Sequence, residues 1–357
     1  MSGVAETMAR FSITPKRLAG LPLSVLAAAY KNNGQPYKLT LAPTYRCNYK
    51  CYYCGLWKRS TAELDAATLV NAIAPLKSLT WLDVTGGEIF VRRDIEEICL
   101  ALVAALPRLA LIHFPTSGSY PERATRLAEK LSQKGVKVVV SVSLEGPARL
   151  HDKVRCAPGA YGRAVETFRL LARIPHVSVY SGTTIIGENA DLVPQGVFQA
   201  LRQDLEFLTS DMMHFNVMQG SNHYFCNDDA VAPSPSRVAS ALRRIVRWKG
   251  VPKTPFCLLE LGFQAIALNS LAGRQGLVPT CSALRSSLFI APDGTVFPCH
   301  IWGEPVGRID ADTSLLHIVK SERWRWLRNQ VEAESCPTCW TPCEAYPTLL
   351  TRGAKPF

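Results

Sequence analysis

Three closely spaced cysteines carry the first chemical signal in this chain: Cys47-Asn48-Tyr49-Lys50-Cys51-Tyr52-Tyr53-Cys54, a C-x3-C-x2-C run. Thiolates at this spacing can bind three irons of a cubane cluster, which leaves the fourth iron open to a small molecule. A zinc site is the alternative reading. Structural zinc takes four ligands, so a distant residue such as His113 would have to complete it. Twelve cysteines are present in 357 residues, three of them at 47–54 and five between 281 and 343. The later group comprises Cys281, then Cys299 closing Pro292-Asp293-Gly294-Thr295-Val296-Phe297-Pro298-Cys299, then Cys336, Cys339 and Cys343. A chain this large does not need a disulfide framework, so the clustering points to metal and to reduced thiols in a cytoplasmic compartment. Cys99, Cys156, Cys226 and Cys257 are scattered, and Cys99 in an apolar helix reads as core.

The elements that must position these residues follow from hydrophobic periodicity. Extended apolar runs at Tyr37–Pro43, Trp81–Thr85, Leu109–Thr116, Val136–Ser143, Val177–Ile186 and Met213–Met218 predict six strands. Helical periodicity over Leu64–Leu79, Asp94–Leu106, Glu122–Lys134, Ala160–Arg173 and Leu192–Leu208 predicts the helices between them. Strands joined by helices through short connections imply a parallel sheet with right-handed crossovers. Six strands are fewer than a closed eight-stranded barrel needs. The expected fold is therefore α/β, a partial (β/α)6 TIM-like barrel with function at the C-terminal strand ends. Ala232-Pro233-Ser234-Pro235-Ser236 reads as a linker before a basic amphipathic helix around Arg237–Trp248 and a cysteine-bearing C-terminal region. The domains expected are an N-terminal helical segment (1–35), the barrel (36–231) and the linker helix with a small cysteine-rich domain (232–357).

Composition is ordinary for a globular chain, with 47% apolar and 19% charged residues. The net charge of +11 fits an anionic substrate, a nucleic acid or a membrane surface and selects none of them. Lys16 and Arg17 precede an apolar stretch, Leu18 to Tyr30, that superficially resembles a signal peptide. Gly20 and Pro22 interrupt that stretch, so it reads as a packing helix, with membrane-surface contact as the alternative. The arginines at 237, 243, 244 and 247 with Trp248, and Arg323-Trp324-Arg325-Trp326, read as solvated faces over packed aromatics.

The cysteine run after the first strand resembles the hallmark of the radical S-adenosylmethionine (radical SAM) superfamily. Further motifs match in order. Tyr53 stands at the aromatic position before the last cysteine, and Thr85-Gly86-Gly87-Glu88 matches the GGE motif at the end of the second strand. Thr116-Ser117-Gly118 closes the third strand, and Ser143-Leu144-Glu145-Gly146-Pro147 closes the fourth. The latter resembles the Ser-Leu-Asp-Gly-Pro of peptide-modifying members, with Glu145 in place of Asp, and His151-Asp152 with Arg155 matches an HDxxR stretch. The C-terminal cysteines resemble the twitch or SPASM extension, an auxiliary-cluster domain.

The resemblance implies two [4Fe-4S] clusters and S-adenosylmethionine as cofactors. Cys47, Cys51 and Cys54 would hold the first cluster. Cys281, Cys299, Cys336 and Cys339 would hold the second, with Cys343 as the alternative fourth ligand. Tyr53, Gly86, Gly87, Glu88, Ser117, Ser143 and Arg163 would contact S-adenosylmethionine. Glycines permit close backbone approach, Glu88 complements an ammonium, and a guanidinium suits a carboxylate. The implied activity is reductive cleavage to a 5′-deoxyadenosyl radical, which takes hydrogen from a peptide, a protein or a small molecule. A reductant such as flavodoxin or ferredoxin is the implied partner, and nucleic acid is not expected. His214, His223, His300, Asp228 and Asp229 are candidates for proton transfer, and their spacing selects none of them. A non-catalytic iron–sulfur electron carrier would not need the GGE motif, and a zinc-stabilised binding module would not need an open three-cysteine site.

Overall fold

The computed structural model describes residues 14–30, 35–337, 339 and 341–353. Thr338 and Trp340 of the C-terminal motif, and parts of the N-terminal segment, lie outside them. Helix α1 (Pro15–Tyr30) runs through Gly20 and Pro22 rather than stopping there. It packs on the rest of the chain: Ser24 and Ala28 are buried, and Arg17 donates to the carbonyls of Leu109 (2.7 Å) and Val103 (3.1 Å).

All six expected strands form: β1 (Lys38–Thr44), β2 (Trp81–Gly86), β3 (Leu111–Thr116), β4 (Lys137–Ser143), β5 (Val177–Ile185) and β6 (Met213–Val217). The helices between them are α2 (Ala66–Ile73), α3 (Ile95–Ala105), α4 (Pro121–Ser132), α5 (Ala148–Arg155), α6 (Ala160–Ala172) and α7 (Gln195–Asp204). Neighbouring strands β1 to β6 all pair in parallel. Residues alternate across each strand. On β4, Val138, Val140 and Val142 are fully buried, whereas Lys137, Val139, Ser141 and Ser143 face an internal cavity.

The sheet does not end at six strands. After α8 (Pro235–Lys249) and α9 (Pro255–Leu271), β7 (Ser287–Ile290) pairs in parallel with β1, from Lys38↔Ser287 to Leu41↔Ile290. β8 (Thr295–Phe297) and β9 (Gly307–Arg308) add antiparallel. The nine strands run in the order β6-β5-β4-β3-β2-β1-β7-β8-β9, an open sheet. Helices α10 (Leu315–Val319) and α11 (Glu322–Glu332) follow, and then α12 (Pro342–Arg352) bridges the two sides of the opening. On one side, the Tyr346 hydroxyl of α12 meets Glu260 of α9 and His214 of β6. On the other, Lys38 Nζ donates to the Cys343 carbonyl (2.6 Å), and Ser287 donates to Glu344.

The outer edge of β6 is covered by side chains. Lys249 Nζ donates to the Met213 carbonyl (2.7 Å), and Glu260 Oε1 accepts from Phe215 N–H (2.9 Å). On the basic helix α8, Arg237 pairs with Asp191, Arg244 donates to the carbonyls of Ala190 and Val193, and Trp248 packs edge-on against Phe198. Among the described residues, no helix is long and apolar enough to cross a membrane.

Candidate active site

The first cysteine loop leaves the C-terminal end of β1 and is fastened to the end of β2. Gly87 N–H donates to the Thr44 carbonyl and Glu88 N–H to the Arg46 carbonyl, both at 3.0 Å. Gly86 has φ +128°, and a Cβ on Gly87 would collide with the Arg46 carbonyl. The close approach these glycines allow is therefore to the cysteine loop itself. Further along, Gly55 N–H donates to the Phe225 carbonyl (2.7 Å). Cys51 is buried, and Cys47 and Cys54 are partly so. Burial pushes the Cys47 thiol up to about 12 and that of Cys54 up to about 11, and the neighbouring thiols add to the shift. All three line one internal cavity of about 620 Å³.

The same cavity is lined by Tyr53, Gly86, Gly87, Glu88, Ser117 and Ser143, six of the seven cofactor-contact candidates. Arg163 does not line it. Its Nε donates to the Tyr49 hydroxyl (2.9 Å), and its guanidinium also meets the Pro158 carbonyl. Glu88 is buried and accepts from Thr116 Oγ1 (3.0 Å), Ser117 N–H (2.7 Å) and Ser117 Oγ (2.6 Å). Burial pushes its carboxyl up while these donors pull it down. Ser117 is thus bonded to Glu88 as well as facing the cavity. Glu145 is fully buried and takes Arg155 (2.5 Å), Tyr53 OH (3.2 Å) and Thr184 N–H (2.8 Å). Arg155 also reaches Cys51 Sγ (3.5 Å), a cation placed where a thiolate needs one.

Deeper in the barrel stand two carboxylate–histidine pairs that the motifs do not mark. Asp83 takes Lys38 (2.8 Å) and His113 (3.2 Å), and His113 Nε2 meets Ser141 Oγ (3.0 Å). His113 therefore belongs to this array and not to the cysteines. Buried Lys38 holds the Asp83 carboxyl well below its usual range, against the opposing effect of burial. Glu260 contacts His214 Nδ1 (2.6 Å), and that pairing draws its carboxyl down to about 2 although burial alone would raise it. His214 and His300 line the cavity, whereas His223 stacks on Phe297 (4.5 Å) and Asp229 pairs at the surface with Lys58 (2.9 Å). The sequence signal for these arrays was a lone acid in an apolar element: Asp83 in WLDVT and Glu260 in CLLELGF.

The C-terminal cysteines separate into two places. Cys281 precedes β7, Cys299 follows β8, and Cys336 and Cys339 lie between α11 and α12. Burial raises all four thiols, and the shifts link them as near neighbours: Cys281 and Cys299 both feel Cys339, and Cys281 and Cys339 both feel Cys336. Cys343 instead lines the central cavity with the first three cysteines. Among the described residues, no three Cys, His, Asp or Glu side chains converge closely enough for a single metal ion. The fit to clusters therefore rests on the donor chemistry: buried or partly buried free thiols in one set of three and one of four, with all twelve cysteines unpaired.

Comparison with known proteins agrees with this geometry. The radical SAM superfamily profile matches residues 41–194, and that of SPASM, an iron-sulfur cluster-binding domain, matches residues 281–340. The chain belongs to the radical SAM superfamily and carries a C-terminal SPASM domain. Among curated relatives, the antilisterial bacteriocin subtilosin biosynthesis protein AlbA of Bacillus subtilis is 26% identical over 144 residues, covering 38% of this chain and 31% of AlbA. GTP 3′,8-cyclase 1 of Pseudomonas aeruginosa is 27% identical over 208 residues, covering 54% of this chain and 60% of that enzyme. The matches thus span less than two thirds of either relative. Among solved structures, native anSMEcpe with bound AdoMet superposes with TM-score 0.60 at 16% identity, over 87% of this chain and 94% of that one. Streptococcus suis SuiB bound to S-adenosylmethionine gives TM-score 0.62 at 11% identity, over 88% and 72%. At these identities the likeness is one of fold.

Proposed function

We propose that this chain is a radical SAM enzyme that modifies a peptide or protein, with Cys47, Cys51 and Cys54 holding the cluster that binds S-adenosylmethionine. The observation that carries the reading is the meeting of those three thiols with Tyr53, Glu88 and Ser143 around one cavity at the strand ends. When bound, the cluster and S-adenosylmethionine supply a reductively generated 5′-deoxyadenosyl radical that abstracts hydrogen from the substrate. The protein supplies the setting. Glu88, oriented by Thr116 and Ser117, offers a carboxylate to the methionine ammonium, and Arg155 offsets thiolate charge beside Cys51. Arg163, held against Tyr49, serves the cysteine loop rather than the cofactor carboxylate. Cys281, Cys299, Cys336 and Cys339 hold the auxiliary cluster, and a low-potential flavodoxin or ferredoxin delivers electrons. The peptide reading draws on AlbA, a bacteriocin biosynthesis protein, and on SuiB, solved with its precursor peptide SuiA. A small molecule is the second reading, favoured by the internal position of the cavity and by the GTP 3′,8-cyclases among the relatives. Anaerobically reconstituted protein given dithionite and S-adenosylmethionine should form 5′-deoxyadenosine. Absence of that product would sink the proposal.

A further inference from the structure

This inference rests on the S-adenosylmethionine-cleaving reading of the same cavity. We propose that Cys343 is no cluster ligand but a free thiol on the wall of the radical chamber, where it donates a hydrogen atom to carbon radicals formed there.

Position comes first. Cys343 lines the cavity that Cys47, Cys51 and Cys54 line, whereas Cys281, Cys299, Cys336 and Cys339 do not. The first turn of α12 is also pinned in place. Lys38 Nζ holds the Cys343 carbonyl at 2.6 Å, Ser287 holds Glu344, and Tyr346 is bound to Glu260 and His214.

A second, independent feature of the same wall points to an occupant. Thr341 is 3% exposed and lines the cavity, and among the described residues its hydroxyl has no hydrogen-bond partner. A buried hydroxyl left unpaired costs free energy unless a bound group completes it. A polar group of the substrate meeting Thr341 would bring the adjoining carbon to the same turn that carries the Cys343 thiol.

The chemistry balances. An S–H bond is weaker than an unactivated C–H bond, so a carbon radical on this wall takes the thiol hydrogen. The S–H bond breaks homolytically, a C–H bond forms, and a thiyl radical remains. One electron from the low-potential reductant and one proton from water restore the thiol. Burial and the nearby carboxylates of Asp83 and Glu344 favour the protonated thiol against the opposing charge of Lys38, so the proton is taken up with the electron.

The test needs no identified substrate, because S-adenosylmethionine and dithionite are the probes. In D2O the thiol exchanges to S–D while carbon-bound hydrogen does not. With no substrate added, wild-type holoenzyme should release 5′-deoxyadenosine carrying one deuterium, read by mass spectrometry. Cys343→Ser, whose O–H bond is too strong to donate, should show a several-fold loss of deuterium per 5′-deoxyadenosine formed, and Cys343→Ala the same. Both variants should keep the wild-type iron content, whereas Cys339→Ser should lose half of it. Unchanged deuterium per 5′-deoxyadenosine, or loss of iron from Cys343→Ser, overturns the inference. Failure of wild type to make any 5′-deoxyadenosine overturns the underlying reading, and the donor role with it.

Discussion

The two cysteine sets are built in opposite ways. Cys47, Cys51 and Cys54 sit in one loop, fastened by the main chain of Gly87, Glu88 and Gly55 to the neighbouring strand end and the 225 segment. Cys281, Cys299, Cys336 and Cys339 come from the start of one hairpin strand, the end of the next, and a connection beyond two further helices. The first set lies within one short loop, held by the paired ends of β1 and β2 and by the 225 segment. The second exists only once the C-terminal region has folded, so metal bound there must stabilise that fold.

The harshest test of this contrast is to replace Cys47, Cys51 and Cys54 together by Ala. 5′-Deoxyadenosine formation should be abolished while half of the iron stays, read by iron analysis and chromatography. Next comes Cys336→Ala, which should lose the other half of the iron and lower the melting temperature. It should still cleave S-adenosylmethionine, with the yield of modified product lost. A variant lacking that cluster but giving normal product would reduce the cluster to a dispensable staple. Gly87→Ala pushes a Cβ into the Arg46 carbonyl and should cost about 1–3 kcal/mol by forced backbone shifts. Iron should then leave the first site faster than the second when a chelator is added. Glu88→Gln is the mildest, removing one charge while keeping the shape. Weakening of S-adenosylmethionine binding by about tenfold, or about 1.4 kcal/mol, is expected in equilibrium binding. Unchanged affinity would remove the role assigned to Glu88.

Local pattern carried the barrel. The six strands were legible because their apolar runs are bounded by turns, and five of the helices because their apolar residues recur at helical spacing. The first cysteine loop and the GGE turn were legible for the same reason, being short and contiguous. What escaped depends on distant partners. The cysteine run ending at Cys299 was readable, but the pairing of β7 with β1 joins residues 287–290 to residues 38–41 and has no local signature. Helix α12 contains Pro347, which argues against a helix, and its place is set by Lys38, Ser287 and Glu260. Helix α9 is apolar nearly all round, so no amphipathic stripe marks it. Arg163 was a cofactor candidate by resemblance alone, and its bond to Tyr49 is invisible in sequence.

The outer edge of β6 has a consequence for how another chain can approach. A sheet edge with free N–H and C=O groups invites strand addition, whether by an extended peptide or by another copy of the protein. Here Lys249 takes the Met213 carbonyl and Glu260 takes the Phe215 amide, so the backbone groups at that border are spent on side chains of the chain's own helices. An extended segment arriving at β6 finds neither a donor to match nor an acceptor to fill at those positions. Strand addition along this side is thereby opposed at those two positions, whether the arriving strand belongs to a peptide or to a second copy of the chain.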